Sequence, residues 1–247
     1  MQTSYAAIAI QQLGLQYEKN REAIKTISQR LIEGVPQERA LFAAGSGHSA
    51  IFAMELYHRA GGPSFLIPVV EETTLPIFGP ARARAAERTP DALLGALHRA
   101  NPRKSEMLWI NSQSGINPAI VELALEAKRM GMETVAFTSV AHSSAAKSRH
   151  TSGKRLFEVC DHIVDLGGVS GDALVPVEGA PRAVSVGPLS TLSAVFLAHI
   201  ILSEVSVELE RRGIACVYTS VNTPDGEARN REIEEKASRR DPRLTAL

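Results

Sequence analysis

Between residues 5 and 34, Leu13, Tyr17, Ile24, Ile27 and Leu31 fall on one helical stripe, with Lys19, Arg21, Glu22 and Lys25 elsewhere. Gly34 and Pro36 end this helix. Five apolar runs follow, at 40–44, 65–70, 106–111, 133–138 and 162–166. They lack clean alternation, as strands buried on both faces do. Pro68 places the second run at a sheet edge. Helical segments are predicted at 49–60, 90–100, 118–130 and 154–160, with a last one at 189–212 and a short strand at 215–219. Asn117 and Pro118 read as an N-cap and first helical residue, and Gly131 and Gly213 as helix ends. Strands alternating with helices predict a parallel sheet covered on both sides, a three-layer α/β/α sandwich of flavodoxin-like type without a nucleotide site.

The punctuation between these elements carries the chemistry. Leu41-Phe42-Ala43-Ala44 runs into Gly45-Ser46-Gly47-His48-Ser49, and Met107-Leu108-Trp109-Ile110-Asn111 runs into Ser112-Gln113-Ser114-Gly115. Each loop opens a helix. Glycine lets backbone N–H groups turn inward, hydroxyls donate, and a helix N-terminus adds partial positive charge, which together make an anion site. Neither loop is a nucleotide signature: GxxxxGK[ST] is absent, and no third glycine follows Gly45 and Gly47 in dinucleotide register. No cofactor is called for.

The chain's 247 residues support one domain, with a core at about 36–220 and a charged tail at 225–247. Equal numbers of acidic and basic residues leave no basic excess for a nucleic acid backbone. Cys160 and Cys216 lack CxxC spacing and read as buried thiols of a reducing compartment, with a disulfide left open. The apolar stretches read as too short for a membrane span, and Met1-Gln2-Thr3-Ser4 does not begin a signal peptide, so a cytoplasmic protein is expected.

The two loops resemble the phosphate-binding segments of the sugar isomerase (SIS) domain family. Tyr57-His58-Arg59-Ala60-Gly61-Gly62 and the stretch 148–156 resemble an uncharacterised branch labelled as putative phosphoheptose isomerases. The resemblance covers about residues 5–230. It implies a phosphate wrapped by Ser112, Gln113 and Ser114, with Asn117 at the helix start. Ser46, Gly47 and Ser49 approach from the first loop, and Thr138 and Ser139 from the fourth strand. It also implies a homodimer or homotetramer acting on a small phosphorylated sugar.

Moving a proton between C1 and C2 of such a sugar needs a base and a donor to the oxygens. Glu55, Glu71 and His48 are the candidates, with Glu72 beside Glu71. Glu55 does not align with the acid of phosphoheptose isomerase, which lies nearer His58. Glu55 and His58 share a helix face at i and i+3, a spacing that can bind metal, but no further spacing demands one. The segment 140–155 reads as either a solvated basic loop or a lid, offering His142, His150 and Lys154 to a substrate. Asp172, in the turn-rich loop after the fifth strand, either holds the turn or reaches sugar hydroxyls. His98 reads as a surface residue and His199 as a core or interface one. Asn222, Asp225, Glu227 and Asn230 either cap a helix or reach a neighbouring site. The leading expectation is an aldose–ketose isomerase. An amino-sugar-phosphate etherase or hydrolase and a non-catalytic sugar-phosphate sensor are the alternatives.

Overall fold

The computed structural model describes residues 5–169 and 171–245; Met1 to Ser4, Ser170, Ala246 and Leu247 lie outside the described residues. The elements, in chain order, are α1 (Tyr5–Gly34), β1 (Leu41–Gly45), α2 (Ile51–Leu56), β2 (Leu66–Val69), α3 (Pro80–Ala86), α4 (Leu94–Arg99), β3 (Met107–Asn111) and α5 (Pro118–Arg129). Then follow β4 (Glu133–Thr138), α6 (Val140–Ala145), α7 (Leu156–Val159), β5 (His162–Asp165), β6 (Ala173–Pro176), β7 (Ser185–Pro188), α8 (Ser190–Arg211) and α9 (Gly226–Ala237).

Five strands form one sheet in the order β2-β1-β3-β4-β5, and every neighbouring pair is parallel. Pro68 sits on edge strand β2 opposite Ala43, where its missing N–H leaves no gap in the interior of the sheet. The pleat sorts side chains to the two faces. Leu41, Ala43, Met107, Trp109, Val135 and Phe137 face α1, α2 and α8, where they meet Ile24, Ile27, Phe52, Leu197 and Ile201. Phe42, Ala44, Leu108, Ile110 and Ala136 face α4, α5 and α7, where they meet Leu97, Ile120, Leu123 and Leu156. The result is the expected three-layer sandwich. Trp109, Phe52 and Phe137 stack at its centre, with ring centroids 4.9 to 6.3 Å apart.

Several elements differ from expectation. The helix predicted at 49–60 is a 3₁₀ turn followed by α2, which stops at Leu56. His58, at φ +45, lies beyond it. The strand predicted at 215–219 is reduced to one bridge between Pro63 and Val217. The segments 71–89 and 167–188, to which no helix or strand is assigned above, contain α3 and the antiparallel hairpin β6–β7. The charged tail is helical at its start, as its sequence reads, forming α9; it then docks, with Arg240 pairing with Glu106 at 2.6 Å, and Glu106 is 1% exposed. Asn230 holds the start of α9 through both the N–H and the carbonyl of Thr219.

α8 corrects the reading of the apolar stretches. By length and composition it is long and apolar enough to cross a membrane, yet half of that span is buried as the central core helix. Both cysteines are free thiols, and burial pushes each up to about 12.

Candidate functional site

The chain leaves β1 toward β2 on one side and returns to β3 on the other. The crevice beyond the carboxyl ends of β1 and β3 is therefore the switch point at which open parallel sheets bind ligands. Gly45 pairs in register with Asn111, so the two Ser/Gly loops emerge side by side. They are also tied directly: Asn111 Nδ2 donates to the Ser49 carbonyl at 3.3 Å. Gly45 permits this close approach, because a Cβ there would stand 2.2 Å from the Ser49 oxygen.

The second loop turns on a glycine. Gly115, at φ +61, turns the chain where a Cβ would stand 2.8 Å from Thr138 Oγ1 and 3.0 Å from Ser143 Oγ. Its N–H donates to Ser112 Oγ at 3.3 Å. Among the described residues, the hydroxyls of Ser49 and Ser114 have no protein partner and stay free to donate. Arg149 lies at the rim, its N–H on the Ile116 carbonyl (2.9 Å) and its guanidinium on Asn117 Oδ1 (2.7 Å).

The rest of the predicted constellation has other duties. Thr138 donates to the Gln113 carbonyl (3.3 Å), and Ser139 Oγ caps α6 by accepting from His142 N–H (3.2 Å). Both are fully buried and shape the second loop from behind. Asn117 makes no side-chain cap on α5, because Arg149 takes its oxygen. The segment 140–155 is fastened down: the Arg149 and Leu156 N–H groups bond Ile116 and Gly115 carbonyls at 2.9 and 2.8 Å. His150 is buried and spends both ring nitrogens, on Ser152 and on Glu122 (2.8 Å each). Lys154 is exposed and lines a shallow surface groove with Lys128 and Glu158. His142 keeps a buried, unpartnered Nδ1 on α6. Asp172 caps α8 through the N–H groups of Leu189 and Ser190 and the Ser190 hydroxyl.

The candidate acids separate clearly. Glu71 is paired with Arg99 of α4 at 2.7 Å, and Glu72 with Arg82 at 3.1 Å. Glu55 is paired with Arg59 and lies 3.5 Å from His199. Burial and then the charge of Arg59 lower the His199 pKa, keeping that ring neutral. His58 turns away to Glu234 at 2.9 Å, so the i, i+3 pair with Glu55 does not form. Among the described residues no cluster of three metal-ligating side chains exists. His48 is exposed at the mouth of the first loop.

One carboxylate was not foreseen. Glu87 follows α3, its carbonyl accepting from Ala119 N–H in the first turn of α5 (3.2 Å). Its carboxylate crosses to the first loop, where Ser46 donates to Oε1 at 3.2 Å. Gly47, at φ +60, makes the room: a Cβ would stand 2.7 Å from that same oxygen. Among the described residues Glu87 has no cationic partner.

The SIS domain family matches residues 4–139, which carry both loops and Glu87. The chain belongs to the SIS domain family. It is 33% identical over 226 residues to a UPF0309 protein of Caldanaerobacter subterraneus subsp. tengcongensis, covering 91% of each chain. To a UPF0309 protein of Shouchella clausii it is 29% identical over 221 residues, 89% of each. Among solved structures, phosphoheptose isomerase from Neisseria gonorrhoeae superposes with a TM-score of 0.53 at 13% identity, covering 81% of this chain and 94% of that one. That likeness is one of fold, the SIS sandwich.

Proposed function

We propose that this SIS-domain protein binds a phosphorylated sugar across the carboxyl ends of β1 and β3 and interconverts its aldose and ketose forms. The observation that carries the reading is the opposite character of the two loops. The second offers the free Ser114 hydroxyl, an α5 N-terminus and the cation of Arg149. The first faces the carboxylate of Glu87. Like charges repel, so a phosphate dianion belongs at Ser112, Gln113 and Ser114, and the carbonyl end of the sugar lies toward Glu87.

A proton moving between C1 and C2 passes through an enediol and needs a base within reach of both carbons, a role open to a carboxylate. Glu87 takes that role, oriented by Ser46. His48, at the mouth of the same loop, serves the substrate oxygens together with the Ser49 hydroxyl. Glu55 and His199 form a second acid–imidazole pair farther along α2. The exposed Ile51, Met54 and Leu192 support assembly of α2 and α8 into a homodimer or homotetramer. Phosphoheptose isomerase activity in a protein of the same fold is consistent with this reaction class.

A thermal-shift panel of sugar phosphates, their unphosphorylated forms and inorganic phosphate tests the reading. A ligand at about 100 times its Kd adds roughly 2.7 kcal/mol, which moves Tm by several degrees in a domain of this size. Shifts confined to phosphorylated members are expected. Those members should also take up deuterium from heavy water at the isomerising carbon. A flat panel sinks the proposal, and binding without deuterium uptake leaves a sensor.

A further inference from the structure

Gln16 stands in the N-terminal half of α1 on the face turned to the sheet. It is 3% exposed, and neither its Oε1 nor its Nε2 has a partner. The same face carries Ile24, Ile27 and Leu31 lower down, so an apolar side chain is the ordinary occupant of such a position. Leaving a buried amide unpaired carries a penalty, so each such group calls for a partner.

What Gln16 adjoins is the site. Its Cγ and Nε2 lie 3.6 and 3.7 Å from where a Cβ on Gly167 would stand. From the other side, Gln113 of the second loop donates its Nε2 to the Gly167 carbonyl at 3.2 Å, and its own Oε1 is buried and unpartnered. A Cβ on Gly168 would stand 3.1 Å from Gln113 Nε2. Both glycines have positive φ, +55 and +83. The turn after β5 thus presents bare backbone, with one amide on each side of it.

An amide offers a donor and an acceptor together, and so does a sugar hydroxyl. We propose that Gln16 and Gln113 form a subsite for the hydroxyls of the sugar body, next to the phosphate loop and supplied in part by α1. This inference rests on the phosphosugar reading above. It makes polyhydroxylated phosphate esters the substrate class, in preference to short phosphate esters, because only the former satisfy both amides.

The test uses Gln16→Met, which keeps length and removes both polar atoms, with inorganic phosphate, glycerol phosphate, and five- and six-carbon sugar phosphates as probes. The wild-type protein should hold the sugar phosphates more tightly than phosphate itself. In Gln16→Met, sugar-phosphate affinity should weaken by about tenfold or more, while phosphate affinity and the Tm of the free protein hold or rise. Gln16→Asn, a shorter amide, should fall between the two. Equal sugar-phosphate affinity in wild type and Gln16→Met overturns the subsite and leaves the phosphosugar reading standing. A free-protein Tm several degrees lower in Gln16→Met, with all ligands weakened alike, assigns Gln16 to the scaffold and also overturns it. No response of the wild type to any phosphate removes both.

Discussion

A carboxylate beside a loop of glycines and hydroxyls has few structural duties, and among the described residues Glu87 has no cation to satisfy. Its paired counterparts Glu71 and Glu72 supply the control. Glu87→Gln keeps the shape and the Ser46 contact but cannot take a proton. Turnover should fall by about 10²- to 10⁴-fold with phosphate binding intact, whereas Glu71→Gln should keep its kcat. Steady-state kinetics on the best ligand of the thermal panel, with Tm shifts alongside, read both effects. The sequence marked the long stretch 71–89 as a candidate functional loop, but not Glu87 within it. Glu87 lies in an alternating Ala/Arg stretch with no periodicity that points it anywhere, and only the turn of α3 onto α5 carries it back to β1. The two loops were legible because glycine and serine at a strand end have a direct backbone meaning. Thr138 and Ser139 were legible as neighbours of the site, but not the direction of their hydroxyls, which depends on α6.

At the scale of elements, α1 does more than cover the sheet. β5 is an edge strand, and Asn20 completes it as a neighbouring strand would. Its Nδ2 donates to the Asp165 carbonyl at 2.9 Å, and its Oδ1 accepts the Asp165 N–H at 2.8 Å. Asn20→Ala strands two buried backbone groups and should cost about 1–3 kcal/mol, measured by urea unfolding. The Asp165 side chain ties α1, α6 and the Gly167 turn together through Lys19 (2.6 Å) and the N–H groups of Gly167 and Val140. Burial pushes its pKa up, but these three partners outweigh burial and hold the carboxyl below its ordinary value of 3.8. A depressed carboxylate stabilises the fold above the unfolded-state pKa and loses that contribution as pH falls through the lower folded value. Asp165→Asn should therefore be less stable than wild type at neutral pH, with the gap closing below about pH 4, in melts recorded from neutrality to acid. The stripe on α1 was readable from its leucines and isoleucines. Gln16 and Asn20 were passed over because polar residues on a helix ordinarily mark the solvent side.

Over the whole molecule, the sheet was legible because its strands are continuous apolar runs, and Pro68 even located one edge. The strand order was not, since periodicity carries no information about which strands are neighbours. That order has a kinetic consequence. The two loops come from strands that meet only after β2, α3 and α4 have been passed. A folding intermediate holding only the first β-α-β unit has half an anion site and no Glu87 bridge. Ligand then recognises the finished sheet alone. At saturating sugar phosphate, refolding after a denaturant jump should proceed at its ligand-free rate, while unfolding slows by about the factor by which ligand exceeds Kd. If the proposed site forms last, as this order implies, ligand sets how long the native state persists without affecting how quickly that state is reached.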